Sequence, residues 1–198
     1  MDKDLAIFDF DGTITSKDTF LYFLKYTHPG LRGMVNVLRV TPQLVAYGLG
    51  FISNETAKKH LFSSFYKGMS ADHFNAQAGS FVSHIDSFVK SKAMERINWH
   101  RQQGHRVLVV SAGFDNILIH WCKKENIELI ATGVEIESGL LTGNFGSKNC
   151  YGIEKLNRIK AFLDPSDYGN IYVYGDSRGD LEMMQIATHP NHDKRIFT

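Results

Sequence analysis

The run Leu5-Ala6-Ile7-Phe8 ends on two carboxylates, Asp9 and Asp11, with one residue between them, and this ending constrains the fold more than any other stretch. Successive apolar residues without alternation predict a strand buried on both faces, as in a parallel sheet. Such a strand delivers both aspartates to its carboxyl end, the edge of an open α/β sheet where ligands collect. Gly12 follows and permits a tight turn that a residue with a side chain would resist. Two anions this close repel by roughly 4 kcal/mol at an effective dielectric near 20. Either one carboxyl stays protonated or a cation sits there. A hard divalent ion such as Mg²⁺ takes oxygen ligands and holds a phosphate at the same place.

Size leaves room for more than the sheet. With 198 residues, 43% of them hydrophobic, the chain is expected to bury one sizeable core and to carry a smaller insertion. A net charge of +1 gives no reason to expect nucleic-acid binding. Cys122 and Cys150 lack metal-type spacing, and the acidic start Met1-Asp2-Lys3-Asp4 leaves no room for a cleavable signal, so a reduced, cytoplasmic protein is expected. No uncharged apolar run reaches the ~18 residues of a spanning helix.

After Thr13 the pattern turns helical over about seventy-five residues. Asp18 is placed to cap a first helix with Phe20, Leu21, Phe23 and Leu24 inward, stopped by His28-Pro29-Gly30. Residues 31–52 are the ambiguous segment, with Pro42 expected to break or kink them. Ser53 or Asn54 starts a helix presenting Ala57, Leu61, Phe62 and Phe65, and Ser70 starts another presenting Phe74, Ala78, Phe81, Ile85 and Phe88. These aromatic stripes predict a helical layer rather than a cofactor site. The expected division is a core of residues 1–14 and 90–198 with an inserted helical cap of residues 15–89.

From residue 91 helix and strand alternate again, which predicts a doubly wound parallel sheet. Arg106–Val110 is a β-branched run finishing at Ser111-Ala112-Gly113 and followed by an amphipathic helix. Residues 128–137 read as strand and 154–163 as helix. Ile171–Tyr174 is a last apolar strand before Gly175-Asp176-Ser177-Arg178-Gly179-Asp180, then a helix with Leu181, Met184 and Ala187. The tail containing His189 and His192 is expected to be a loop, with 195–197 as a final strand. Asp9, Ser111 and Asp176 each stand where an apolar run stops, so three distant polar groups are expected along one sheet edge. Lys155, in a helix's first turn where a cation opposes the macrodipole, supplies a positive side chain. Taken singly, Ser111 reads equally as a turn or cap residue, Lys155 as a solvated helix residue, and Asp176 and Asp180 as a loop and a cap.

Taken in order, Asp9-Phe10-Asp11-Gly12-Thr13, Ser111, Lys155 and Gly175-Asp176-Ser177-x-x-Asp180 resemble the four motifs of the haloacid dehalogenase superfamily of phosphatases, and the match spans nearly the whole chain. With its long helical insertion the chain resembles the subgroup containing phosphoserine phosphatase. Asp18-Thr19-Phe20 and the stretch 149–155 resemble a branch of that subgroup that includes a bacterial phosphatidylglycerophosphate phosphatase. Gly12 and Asp18 depart from the Ser and Glu common in phosphoserine phosphatase. The resemblance implies a Rossmann-like fold with a helical cap and Mg²⁺-dependent hydrolysis of a phosphomonoester through an aspartyl phosphate. It implies Asp9 as nucleophile and Asp11 as general acid/base, with metal ligation by Asp9, the Asp11 backbone carbonyl, Asp176 and Asp180. Ser111, Ala112, Gly113 and Lys155 would bind the phosphate, and Asp18 would face the substrate. A small or lipid-headgroup phosphomonoester is expected, and Lys25, Arg32 and Arg39 are candidates to meet an anionic headgroup, with residues 31–52 lying against lipid. Phosphoserine phosphatase proper, or a non-catalytic binding module on the same fold, are the alternatives.

Overall fold

The computed structural model describes the backbone of residues 3–198, and the side chains of all of these except residues 3, 31–34 and 36. Strand β1 (Lys3–Phe8) is followed by five helices, α1 (Thr19–Thr27), α2 (Leu31–Gly48), α3 (Asn54–Tyr66), α4 (Ala71–Ser80) and α5 (Val82–Asp86). The chain then alternates through α6 (Ser91–Gln102), β2 (Arg106–Phe114), α7 (Asp115–Lys124) and β3 (Glu128–Thr132). A hairpin of β4 (Val134–Glu137) and β5 (Leu140–Phe145) precedes α8 (Ile153–Phe162), β6 (Tyr168–Gly175) and β7 (His189–His192).

The main sheet has the order β3-β2-β1-β6-β7 and every pairing in it is parallel. From β1 the chain builds outward to β2 and β3 on one side, then returns to lay β6 and β7 on the other. The order therefore reverses between β1 and β6, the crevice in which doubly wound sheets bind ligands. Leu5 to Phe8 are fully buried, as a central strand covered on both faces requires. Their side chains alternate between two cores. Ala6, Phe8, Val109 and Tyr174 face one layer, while Leu5, Ile7, Leu108, Val110 and Val173 face the other, against Ile159 of α8.

The first of these cores continues without a break into the inserted helices, through Phe20, Phe23, Phe62, Phe74 and Phe81. Phe23 alone meets Tyr66, Phe74 and Phe81 with ring centroids 5.2–5.8 Å apart, so aromatic packing organises that layer. The entering and leaving segments pair with each other, Ser16 N–H donating to Phe88 O at 2.8 Å and Lys90 N–H to Ile14 O at 2.9 Å. Asp18 caps α1 by accepting from Leu21 N–H at 2.8 Å, and Ser53 caps α3 by accepting from Thr56 N–H at 3.1 Å.

Local differences from the sequence reading have physical causes. Pro42 does not break the second helix, which runs through it from Leu31 to Gly48. Residues 128–137 form two strands in different sheets, parted at Gly133. After Asp176 there are only 3₁₀ turns, Arg178–Asp180 and Met183–Ile186, in place of the expected helix. The histidine-containing tail is β7, an exposed edge strand paired to β6, and residues 195–197 are not a strand. Proline and polar residues suit an edge, and hydropathy gives no sign of a strand that buries nothing.

Candidate active site

Strand ends and one helix start bring the sequence-distant groups together. Lys155, in the first turn of α8, is 2% exposed and donates to Asp9 Oδ1 at 2.5 Å and to Asp180 Oδ1 at 2.6 Å. Carboxylate oxygens of Asp9, Asp176 and Asp180 lie within 4.8 Å of one another. Thr13 Oγ1 donates to Asp176 Oδ1 at 3.1 Å, and Ser177 donates twice to Asp180 Oδ2, through N–H at 2.9 Å and Oγ at 2.8 Å. Gly12 fulfils its expected role: φ is +87°, and a Cβ there would stand 2.4 Å from Asp176 Oδ2. The two acidic loops can approach only because this position carries no side chain.

Electrostatics follow from burial and crowding. Burial, aided by Asp180 and Asp176, pushes the Asp9 carboxyl up to about 7 against the pull of Lys155. Asp176 is raised by burial and Asp180, opposed by Thr13. Asp180 is buried too, but the Lys155 ammonium and the Ser177 hydrogen bonds hold it below the usual range. Lys155 pairs with Asp9 and Asp180, while Asp176 beside them is held by Thr13 with Lys90 nearby, which leaves a surplus of hard oxygen donors that suits a divalent cation such as Mg²⁺.

Asp11 points elsewhere. Its Oδ1 accepts from Thr19 N–H at 2.8 Å and from Thr19 Oγ1, at the start of α1. Its side chain is not in the acidic cluster, which leaves only the backbone carbonyl of the expected metal set. Burial and neighbouring Asp18 push it up to about 7, against the Thr19 hydrogen bonds. A carboxyl poised there gives or takes a proton at neutral pH.

Asp9, Asp11, Ser111 and Lys155 line a cavity of about 460 Å³ that is roofed by α1, α2 and α3. Asp18, Ala112 and Gly113 line it as well. Strand β2 runs past Ser111 to Phe114, further than expected, and Gly113 N–H donates to Ser111 Oγ at 2.9 Å. The sequence reading missed Lys58 of α3, which lines the cavity, donates to Ala112 O and sits 4.4 Å from the Phe114 ring centroid. Burial lowers it to about 8, against the upward pull of Asp11 and Asp18. The available signal was a lysine sharing the helix face of Leu61, Phe62 and Phe65. Lys25 and Arg39 are exposed on the roof, away from the acidic cluster, and the expected headgroup contact of Arg32 lies outside the described residues.

A family model described as haloacid dehalogenase-like hydrolase matches residues 6–185. Protein CicA of Caulobacter vibrioides is 32% identical over 197 residues, covering 98% of this chain and 86% of that protein. A histidinol-phosphatase of Neisseria meningitidis is 24% identical, covering 95% of this chain and 89% of that protein. Among solved structures, a Bordetella pertussis protein of unknown function superposes with a TM-score of 0.84 at 21% identity, over 96% of this chain and 89% of that one. A substrate-bound phosphoserine phosphatase superposes at 0.65, also at 21% identity, over 97% and 86%.

Proposed function

Since the chain belongs to the haloacid dehalogenase-like hydrolases and is a phosphatase, we propose that it hydrolyses a phosphomonoester in two steps through an aspartyl phosphate on Asp9, with Mg²⁺ as cofactor. Asp9, Asp176 and Asp180 would hold the ion, with the Asp11 carbonyl, and the ion would neutralise charge on the transferring phosphoryl oxygens.

The remaining chemistry belongs to the protein's own groups. An Asp9 carboxylate oxygen attacks phosphorus in line with the ester oxygen. The P–O ester bond breaks, and Asp11 protonates the departing alkoxide. Water then attacks the phosphoryl group, Asp11 takes its proton, and the bond to Asp9 breaks to release inorganic phosphate. Lys155 holds Asp9 in place and offsets phosphate charge, and Ser111 supplies a hydrogen bond to a phosphoryl oxygen. Helices α1 to α5 act as the cap over this chemistry, and Asp18 and Lys58 face the leaving group.

The observation that carries this reading is the buried Lys155 ammonium bridging Asp9 and Asp180 at the floor of the cavity. Asp11, poised near neutrality, favours turnover over a binding module. The test is acid quenching during turnover of a phosphorus-labelled phosphomonoester with Mg²⁺. Label retained on the wild-type chain and absent from Asp9→Asn supports the reading. Turnover by Asp9→Asn at the wild-type rate, with deamidation excluded, ends it.

A further inference from the structure

Helix α2 carries apolar residues on two opposite faces. Val37, Val40, Leu44 and Tyr47, at helical spacing, belong to the inner face: Val40 is buried, Tyr47 lines the catalytic cavity, and Leu44 lines both that cavity and its neighbour. Val35, Leu38, Pro42, Val45 and Leu49 recur at three- and four-residue intervals on the outer side, and all are exposed. Leu38 is 68% exposed and Leu49 67%, and Phe51 just beyond is 79% exposed. A helix apolar on both sides belongs in an interior or at a lipid boundary, yet among the described residues only one side of α2 meets the protein.

Two further observations say what meets the other side. Residues 19–54 contain Lys25, Arg32 and Arg39 and neither Asp nor Glu, so this part of the roof carries positive charge alone. Next to the catalytic cavity, an apolar groove of about 800 Å³ runs under α2, walled by Leu24, Val37, Leu38 and Phe65 with Lys25 at its edge. The groove and the cavity share Asp18, Leu21, Leu44 and Leu61, so a molecule with its phosphate at Asp9 has an apolar channel beside it.

We propose that α2 docks its outer stripe on an anionic lipid surface, and that the substrate is the phosphomonoester of an amphiphile whose hydrocarbon chain lies in this groove. The inference rests on the phosphatase reading above and names its substrate class. Positive charge complements an anionic bilayer, whereas pairing two copies through this face would bring like charges together. The longest apolar helix lies along the surface and does not cross it, since no helix among the described residues is long and apolar enough to span a membrane.

The test uses the whole chain in two arms. In the first, co-sedimentation is measured with vesicles of phosphatidylcholine alone and of phosphatidylcholine mixed equally with phosphatidylglycerol. Binding to the mixed vesicles is expected, weakened by salt and cut on the order of tenfold in Val45→Glu/Leu49→Glu, two exposed positions that line neither the cavity nor the groove. In the second, ethyl and dodecyl phosphate are compared with Mg²⁺ present. kcat/KM is expected to rise about fourfold per methylene that enters the groove. Unchanged ethyl phosphate turnover in the double variant shows that it is folded, and Leu49→Ser is the substitute if it is not.

Equal kcat/KM for the two esters, or wild-type binding no stronger to anionic vesicles, overturns the proposal while leaving the phosphatase intact. A concentration-dependent dimer abolished by the same substitutions also overturns it, by assigning the stripe to a second copy. Failure to hydrolyse either ester refutes the phosphatase reading instead, and the substrate assignment with it.

Discussion

Asp9→Asn removes the proposed nucleophile and, with it, one negative charge from an acidic cluster in which the Lys155 ammonium pairs with both Asp9 and Asp180. The two consequences have opposite signs. In the folded protein the Asp9 carboxyl is pushed from 3.8 up to about 7 by burial and by its acidic neighbours. Between those values the native state keeps a proton that the unfolded chain has released. Stability contributed by this site is thus present at low pH, declines as pH rises through that window, and stays lost above it. The full displacement corresponds to about 4 kcal/mol, an upper bound. Asparagine cannot ionise, and its amide oxygen still accepts from Lys155, but more weakly than a carboxylate at 2.5 Å. A net gain of about 1–3 kcal/mol near pH 8 without Mg²⁺ follows, or about 2–10 °C in Tm for a chain of this length. Thermal unfolding in chelator near pH 8 and near pH 4.5 is the assay. The variant should lead at the higher pH and lose that lead at the lower one, and added Mg²⁺ should stabilise the wild type more than the variant. Should Asp9→Asn melt below the wild type near pH 8, or lead equally at both pH values, the account of Asp9 as a charge held in place for function is wrong.

Lys155→Met should act in the opposite direction, stranding Asp9 and Asp180 with no ammonium between them and costing about 3–5 kcal/mol. Chemical denaturation in chelator measures the loss, and turnover should fall with it. Lys58, lowered to about 8, loses its charge as pH climbs past that value, so KM for an anionic substrate should rise through pH 8 in the wild type. In Lys58→Met, KM should be high already and flat across the same range, as steady-state kinetics over pH will show.

The parallel sheet was legible because burial on both faces leaves an uninterrupted apolar run, and Leu5–Phe8 and Ile171–Tyr174 are such runs. Positions just past their carboxyl ends then had to share one edge, so Asp9 and Asp176 were readable from the sequence, whereas β2 continues beyond Ser111. Gly12 was legible as a tight-turn residue, which its φ of +87° bears out, whereas its close approach to Asp176 came only with the fold. β7 left no trace in the sequence because an exposed edge strand is held by backbone hydrogen bonds, which any residue can supply on one side. After Asp176 the chain makes 3₁₀ turns where a helix was expected, with Ser177 donating twice to Asp180 at their start.

Along the chain, then, residue type and period determined the layers, the order of the motifs and the acidic ending of the first strand, all of which depend on local hydropathy and turn chemistry. Tertiary structure alone decided that Asp11 faces Thr19, away from the cluster, that Lys58 enters the cavity from α3, and that one face of α2 stands exposed among the described residues. These depend on which surfaces meet across long sequence separations. No periodicity encodes that meeting, because a helix with two apolar faces does not specify which of them the rest of the protein will cover.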